Sequence, residues 1–361
     1  MHFICGAGHN LSRRGFNEMP DCCQKPYQAD AFTQRNIQQP VNATGLRRAV
    51  LLNDLSCFGK CSLTVGLPIL SAAGVEALPL PTAVLSTHTG GFSGYTCMEM
   101  TQELERIAAH WQTLALQPDA IATGYFCSAA QIDFSSAFVK SFAGGDTLLL
   151  VDPVMADGGA LYAGFDGVFA QKMSTLCAGA DVITPNLTEA LLLARLPYTD
   201  SPDAALVQEC FARLQKLGAK RIIITGVQKT PALEAMPCEH IRAGRADTAE
   251  SGREIGCLCT DADGRCFAVW HPYVHTALHG CGDVFSAAFL AAALTETPQG
   301  ERPLADENAF CRAVHTAACF TSRCVQATAS GEYPGHWYGL RFEPCLAQGF
   351  RYGVQECSLL K

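Results

Sequence analysis

The sequence lacks several features that would each assign it to a large class of proteins. No run approaches the roughly 18 uninterrupted apolar residues that a transmembrane helix needs, so no membrane span is predicted. The opening residues, MHFICGAGHNLSRR, contain no continuous apolar core of the kind that signal peptides have. Basic runs are absent as well, and the net charge of -8 disfavours nucleic acid or an anionic membrane surface as a partner.

Two common nucleotide-binding motifs are also missing. The sequence contains no Gly-x-x-x-x-Gly-Lys-Ser/Thr loop, and no Gly-x-Gly-x-x-Gly run follows a predicted strand. These absences disfavour P-loop enzymes and dinucleotide-binding enzymes. A nucleotide site in this chain therefore has to be built from other elements.

Cysteine, in contrast, is abundant, with 19 residues. In a secreted chain this number would indicate disulfides, but the missing signal-peptide pattern favours reduced thiols and a cytoplasmic protein. A zinc site is not expected, because the cysteine and histidine spacing after residue 256 matches no standard two-plus-two pattern. The residues concerned are Cys257, Cys259, Cys266, His271, His275 and His279.

The length and composition allow a sizeable buried core, since 48% of the 361 residues are hydrophobic. Residues 1–46 are polar, rich in Gln and Asn and without periodicity, and we predict a disordered extension there. From Arg47 onward strand and helix patterns alternate without a break, which predicts a single domain over 47–361. Within it, the stretch 230–253, rich in Ala, Glu, Arg and Pro, is predicted to be a surface insertion.

Short aliphatic segments alternate with helical patterns of ten or more residues. Such alternation indicates βαβ crossovers and a mainly parallel sheet with helices on both faces, an α/β fold of the three-layer α/β/α type. Strands are predicted at 49–53, 75–80, 82–85, 120–123, 147–151, 181–184 and 221–225, and a hairpin at 255–260 with 265–270. Helices are predicted at 60–73, 97–114, 129–142, 165–177, 187–194 and 204–217.

Small, hydroxyl or acidic residues stand at the ends of six of the seven predicted strands that precede the hairpin. Because ligands collect at the carboxyl ends of parallel strands, these residues are predicted to form one polar site. The alternative is independent turn chemistry, in which Asn186 caps a helix and Glu189 completes a capping box. The six segments are 53–56, 86–91, 124–125, 152–159, 184–189 and 225–226.

The stretch from Thr276 to Leu294, TALHGCGDVFSAAFLAAAL, predicts a buried central helix that begins at a Gly-Cys-Gly turn. A helix start carries unpaired N–H groups and the positive end of the helix dipole, and glycines let a ligand approach the backbone closely. The turn is therefore a predicted anion pocket. Asp283 either stabilises the helix start or acts as a base beside a transferring phosphoryl group.

The motifs taken together resemble a known enzyme family. The segments NDLSCFGKCSL, LPTAVLSTHTGG, TGY, VDPVMADGG, DVITPNLTEA, IIITG and HGCGDVFSAAFL resemble, in that order, pyridoxal kinases of the ribokinase superfamily. The resemblance covers about residues 47–323 and is greatest to the bacterial branch often labelled pyridoxamine kinase. It implies a ribokinase-like fold, ATP and Mg²⁺ as cofactors, a vitamin B6 vitamer as substrate and a homodimer. Dependence on a monovalent cation such as K⁺ stays open.

The resemblance also implies roles for individual residues. Asp283 matches the catalytic base, and the backbone N–H groups of Gly280, Cys281 and Gly282 match the anion hole. The family most often has Thr where Cys281 stands, and since this position acts through its backbone, Cys is expected to be tolerated. The pyridine-ring pocket is implied to include Ser56, Thr89 and Tyr125, the nucleotide and phosphate site Asp152, Asp157, Thr184, Asn186, Glu189, Thr225 and Gly226, and the metal site Asp157 and Glu189.

Alternatives to a vitamin B6 kinase stay open at this point. A hydroxymethylpyrimidine kinase shares the fold, ATP and a hydroxymethyl acceptor, although the NDLS and THTGG segments favour the B6 branch. A sugar kinase is disfavoured because no glycine-pair segment follows the first strand. A non-catalytic protein that only binds a vitamer or nucleotide is disfavoured by the intact Asp283, Asp157 and Glu189.

Overall fold

A large, mainly parallel sheet lies at the centre of the computed structural model, which describes residues 45–243, 252–275, 278–298, 300–306, 308–330 and 336–348. Within these residues ten strands pair in the order β10-β12-β11-β9-β8-β5-β4-β1-β2-β3, and β6 pairs only with β7. The strands are β1 (Arg48–Phe58), β2 (Glu76–Thr87), β3 (Cys97–Glu99), β4 (Ala120–Thr123), β5 (Leu148–Val151), β6 (Ala156–Asp157), β7 (Ala160–Leu161), β8 (Val182–Ile183), β9 (Arg221–Gln228), β10 (Glu239–Arg242), β11 (Glu254–Thr260) and β12 (Cys266–Pro272).

Helices cover both faces of this sheet. The alternation of side chains along β1 shows why: Ala49 and Leu51 pack into one apolar core, and Val50 and Leu52 pack into the other. The first core is completed by α1 (Leu63–Ala72), α8 (Cys281–Thr295), α9 (Ala309–Ala329) and α10 (Glu343–Ala347). The second is completed by α2 (Thr101–Thr113), α3 (Ala129–Phe142), α4 (Gly167–Cys177), α5 (Leu187–Leu193), α6 (Ala204–Leu217) and α7 (Pro231–Glu234).

The predicted three-layer α/β/α class is therefore confirmed, and several element bounds are corrected. The two strands predicted at 75–80 and 82–85 are one strand, β2, which runs through Pro79 and Pro81. Among the described strands only β3 pairs with the outer side of β2, and it does so at residues 83–85, beyond both prolines. Such an edge position tolerates proline. Residues 97–99, predicted as helical, form the edge strand β3.

The segment 230–253 was predicted to be a surface insertion, and its first part is instead built into the sheet. Residues 231–234 form α7, and 239–242 form β10, which pairs in parallel with β12. Leu233, Met236 and Ile241 are buried. Residues 244–251 lie outside the described residues, as does the predicted disordered extension up to residue 44.

The predicted central helix is confirmed as α8. From Val284 to Leu294 every side chain is buried except that of Ser286, and α8 packs against both α1 and α9. Its N-terminus lies at the carboxyl ends of the central strands, because Asp283 contacts Asn53 and Ser286 donates a hydrogen bond to Asp152. Among the described helices, none combines the length and apolarity that a membrane span requires.

Candidate active site

The turn that begins α8 requires glycine at position 280. Gly280 has φ +81°, and a Cβ atom at this position would lie 2.2 Å from the carbonyl oxygen of Lys60. Only glycine combines this conformation with this approach. The turn places the first N–H groups of α8, which have no intrahelical partner, at the opening of the site.

Asp283 lies in the first turn of α8 and has an unusual electrostatic environment. Burial raises the pKa of its carboxyl group to about 7, and the nearby Asp54 carboxylate contributes to the increase. Hydrogen bonds from the backbone of Ser62 and the side chain of Asn53 oppose the increase. A carboxyl group with a pKa near neutrality is suited to accept a proton at physiological pH.

Asn53 lies in the predicted polar segment 53–56, but the sequence pattern gave it no individual role. Its Oδ1 atom accepts hydrogen bonds from the backbone N–H groups of Asp54, at 3.0 Å, and Tyr125, at 2.8 Å. Since the oxygen is held in this way, the amide nitrogen is the end of the side chain left for Asp283. A Cβ atom at Gly124 would lie 2.4 Å from this nitrogen, so Gly124 makes room for it.

Asp152 faces the Gly-Cys-Gly turn from the end of β5. Its Oδ2 atom accepts a hydrogen bond from Ser286 Oγ at 3.2 Å, and Ser286 Oγ lies 3.3 Å from Thr184 Oγ1. Burial raises the pKa of Asp152 well above its usual range, and the charges of Glu189 and Asp283 add to the increase. The structure thus brings three predicted site carboxyl groups together, as expected for strand ends that meet at one edge.

Asn186 and Glu189 form a capping box at the start of α5, which was the local alternative considered for them. The Glu189 carboxylate accepts hydrogen bonds from the backbone N–H groups of Asn186, at 3.0 Å, and Met155, at 2.9 Å, while Asn186 Nδ2 donates to the carbonyl of Ala156 at 2.8 Å. These hydrogen bonds hold the loop that follows Asp152. Burial nevertheless raises the pKa of Glu189 to about 7.

The remaining predicted phosphate and metal residues surround these acids. Asp157 is exposed and accepts a hydrogen bond from Gly158 N at 2.8 Å. Thr225 forms an isolated parallel β-bridge with Asn186. The prediction that Thr225 ends a strand is wrong, because β9 continues to Gln228. The strand passes through a bulge in which Gly226 has φ +71°. In the described part of the chain no three His, Cys, Asp or Glu side chains are placed to hold a metal ion by themselves.

The carboxylates still suit magnesium. Raised pKa values on neighbouring Asp152 and Glu189 show that their ionised forms are disfavoured in the buried site, which a divalent cation would relieve. Mg²⁺ also prefers hard oxygen ligands and usually keeps several waters, with one or two carboxylates and substrate phosphates completing its shell. A closed cage of protein ligands is not required.

The residues predicted for the ring pocket lie on the β1, β2 and β4 side of Asp283. Ser56 is buried and donates a hydrogen bond from Oγ to Asp54 Oδ2 at 2.9 Å, so its hydroxyl is directed to this acid. Thr89 is exposed, and Tyr125 is half-buried with its ring centroid 6.0 Å from that of Phe165. Burial raises the pKa of Tyr125, which keeps its hydroxyl protonated.

An aromatic cluster lies on the same side. Three of its members belong to the sequence motifs, but none of the six was predicted as a site residue. Its members come from the end of β1, the loop after β2, the loop before α8 and the segment before α10. Neighbouring ring centroids are 4.7 to 6.2 Å apart. The cluster consists of Phe58, His88, Phe92, His279, Trp337 and Tyr338.

The sheet order, the two-sided helix layers and the helix N-terminus at the carboxyl edge define a ribokinase-like α/β fold. A family model described as phosphomethylpyrimidine kinase matches residues 67–338. The chain belongs to this family, whose members are kinases. The match includes the Gly-Cys-Gly turn, Asp283 and all the strand-end acids from Asp152 onward.

Solved and curated relatives agree with this assignment. A candidate phosphomethylpyrimidine kinase from Bacteroides thetaiotaomicron, crystallised with pyridoxal, is 32% identical with a TM-score of 0.71 over 86% of this chain and 97% of its own. A pyridoxal kinase of Pasteurella multocida is 32% identical over 43% of this chain and 55% of its own. A hydroxymethylpyrimidine/phosphomethylpyrimidine kinase of Haemophilus influenzae is 36% identical over 40% of this chain and 46% of its own. The chain thus spans about half the length of the curated relatives it matches.

Proposed function

We propose that the protein transfers the γ-phosphoryl group of ATP to the 5'-hydroxymethyl group of a vitamin B6 vitamer: pyridoxal, pyridoxamine or pyridoxine. The observation that carries this proposal is the position of Asp283 between two chemically different halves of the carboxyl edge. On one side lie the carboxyl groups of Asp152 and Glu189, suited to a metal triphosphate. On the other lie Asn53, Ser56 and the aromatic cluster, suited to a flat heteroaromatic ring that carries an alcohol.

In this mechanism ionised Asp283 accepts the proton of the hydroxymethyl oxygen as that oxygen attacks the γ-phosphorus. The bond from the γ-phosphorus to its bridging oxygen breaks, and ADP leaves. The N–H groups of Gly280, Cys281 and Gly282 donate to the transferring phosphoryl oxygens, whose charge the start of α8 also stabilises. Asn53 and Ser62 hold the Asp283 carboxylate in place.

Magnesium would be held by Asp157 and Asp152 together with phosphate oxygens and water, and it would neutralise charge on the triphosphate. Glu189 would act on it through water, because both of its carboxylate oxygens already accept backbone hydrogen bonds. We also expect Thr184, Thr225 and Gly226 to face the phosphates. A homodimer and a cytoplasmic location stay predictions, which sedimentation and cell fractionation would check.

A second candidate is a hydroxymethylpyrimidine kinase, favoured by the relative from Haemophilus influenzae and by the description of the family model. The pyridoxal in the Bacteroides thetaiotaomicron structure supports the B6 vitamers instead. Both acceptors are flat rings with a hydroxymethyl group, so the same base and anion hole would serve either.

A panel assay separates these two functions. Purified protein with Mg-ATP is incubated with pyridoxal, pyridoxamine, pyridoxine or hydroxymethylpyrimidine, and the phosphate ester is identified by mass spectrometry. We expect kcat/KM for at least one vitamer to exceed that for hydroxymethylpyrimidine at least about tenfold, a difference of roughly 1.4 kcal/mol in transition-state binding. Preference for the pyrimidine would assign the second function, and no ester from any acceptor would refute both.

The pH dependence of kcat/KM tests the role of Asp283. Because its pKa is raised to about 7, the base form is lost as the pH falls through 7, and kcat/KM should then drop about tenfold per pH unit. The fall of kcat/KM at low pH is the acid limb of the profile. Asn53→Asp places a second carboxylate beside Asp283 and should raise the pH of this limb by about one unit. Asn308→Asp, at the start of α9, serves as the control. An acid limb near pH 4, or one unmoved by Asn53→Asp, would contradict the assignment.

A further inference from the structure

The aromatic cluster exposes rings that a monomeric protein normally covers. Trp337 is 43% exposed and Phe58 is 52% exposed, although both lie beside a polar site at the carboxyl edge. Their ring faces are close to other members of the cluster: Phe92 is 4.7 Å from Trp337 and Tyr338 is 4.9 Å from Phe58 between centroids. Contiguous exposed aromatic surface of this kind usually marks a binding site.

The backbone that carries Trp337 is firmly held despite this exposure. The Tyr338 carbonyl accepts hydrogen bonds from Lys60 N at 3.3 Å and from the His88 ring at 2.8 Å. The second His88 nitrogen, Nδ1, accepts from Gly90 N at 3.2 Å, so the nitrogen facing Tyr338 is the one that carries the proton. The segment 336–340 is therefore ordered before any ligand arrives.

The cluster is continuous with the start of α8. The His279 ring, one residue before Gly280, lies 5.1 Å from the His88 ring and 6.2 Å from the Trp337 ring between centroids. Lys60, whose N–H holds Tyr338, also presents its carbonyl to Gly280. A ring lying on the cluster would thus adjoin the start of α8, the helix whose first turn carries Asp283.

We propose that Trp337, with Phe92 and Phe58, forms the wall on which the heteroaromatic ring of the acceptor alcohol stacks. The segment 336–340, far from the other motifs in the sequence, then determines acceptor specificity. This inference rests on the proposed kinase function. A planar ring suits the wall because an exposed, pre-ordered indole offers stacking surface without an ordering cost.

The test measures acceptor binding and turnover in the full-length protein with two variants. Trp337→Ala is expected to raise the KM for pyridoxine about 5- to 50-fold. The Kd for pyridoxine, measured by calorimetry in the presence of a non-hydrolysable ATP analogue, should rise by the same factor. Pyridoxine is the probe because it lacks an aldehyde that would react with lysines. The KM for ATP should stay within about twofold, Trp337→Phe should retain most of the affinity, and Trp111→Phe, on α2, should equal the wild type.

The outcomes distinguish the wall from the kinase function. Suppose that the wild type phosphorylates pyridoxine. If Trp337→Ala then leaves the KM for pyridoxine unchanged, or raises the KM for ATP and not that for pyridoxine, the wall is refuted and the kinase function stands. If the wild type binds pyridoxine in a Trp337-dependent way without turning it over, the wall stands and the kinase function fails. If the wild type binds neither pyridoxine nor hydroxymethylpyrimidine, the wall is refuted.

Discussion

Replacing Asp283 with Asn is expected to lower kcat about a thousandfold while ATP binding stays close to that of the wild type. A general base contributes typically about 10²- to 10⁴-fold, and an amide cannot take the proton from the acceptor alcohol. The substitution keeps size and shape, so the remaining amide oxygen still accepts a hydrogen bond from Ser62 or Asn53. Single-turnover kinetics and calorimetric titration with ATP measure the two quantities separately.

Stability distinguishes lost chemistry from a damaged fold. The folded protein raises the pKa of Asp283 from 3.8 to about 7, so ionised Asp283 disfavours the folded state. This unfavourable contribution is absent below the unfolded pKa of 3.8, grows as the pH rises to about 7 and is constant above. The Asp283→Asn protein, which lacks it, should therefore unfold at a temperature no lower than the wild type at pH 8.

Asp263→Asn, at the exposed turn of the β11–β12 hairpin, is the matched control and should leave kcat unchanged. The assignment of Asp283 as the base would be wrong if the Asp283→Asn protein kept a kcat within about tenfold of the wild type. A loss of turnover accompanied by a lower unfolding temperature would instead indicate a structural role, contrary to this prediction.

Local patterns in the sequence were sufficient for the bounds of several helices and for the start of α8. The bounds of α3 and α6 agree with the predicted 129–142 and 204–217, because each has a complete helical repeat of apolar residues. The glycines before Asp283 identified the helix start, but the reason for Gly280 did not follow from them. That reason is the Lys60 carbonyl, which the fold brings from 220 positions earlier in the chain.

Residues whose role depends on tertiary contacts were not predictable in this way. Asn53 is an ordinary strand-end amide until the fold brings the N–H group of Tyr125, 72 residues away, to its oxygen. The aromatic cluster joins Phe58 to Trp337 through four separate segments, so no local repeat marks it. Residues 97–99 were predicted as helical since nothing local distinguishes them from the following helix, whereas pairing with β2 makes them a strand.

Alanine substitutions at Gly280 and Gly282 are expected to affect the anion turn in different ways. The first should disrupt the backbone of the turn, and the second should leave the fold intact but impair turnover. Gly280→Ala would bring a methyl group to 2.2 Å from the Lys60 carbonyl at a φ of +81°, so the turn must move. We expect a loss of about 3 kcal/mol in the free energy of unfolding and a fall of roughly 5 to 10 °C in the unfolding temperature. Turnover should be lost with it, because the N–H groups no longer converge.

Gly282→Ala is different because the position has room: the nearest atom to an added Cβ is Asp152 Oδ2, at 4.0 Å. Alanine also suits a helix better than glycine, so the unfolding temperature should not fall. The methyl group would nevertheless enter the space between the turn and Asp152, where the phosphates are proposed to lie. We expect kcat/KM for ATP to fall at least about tenfold. Unchanged kinetics in a stable Gly282→Ala protein would show that the phosphoryl group passes elsewhere, and the proposed anion hole would be wrong.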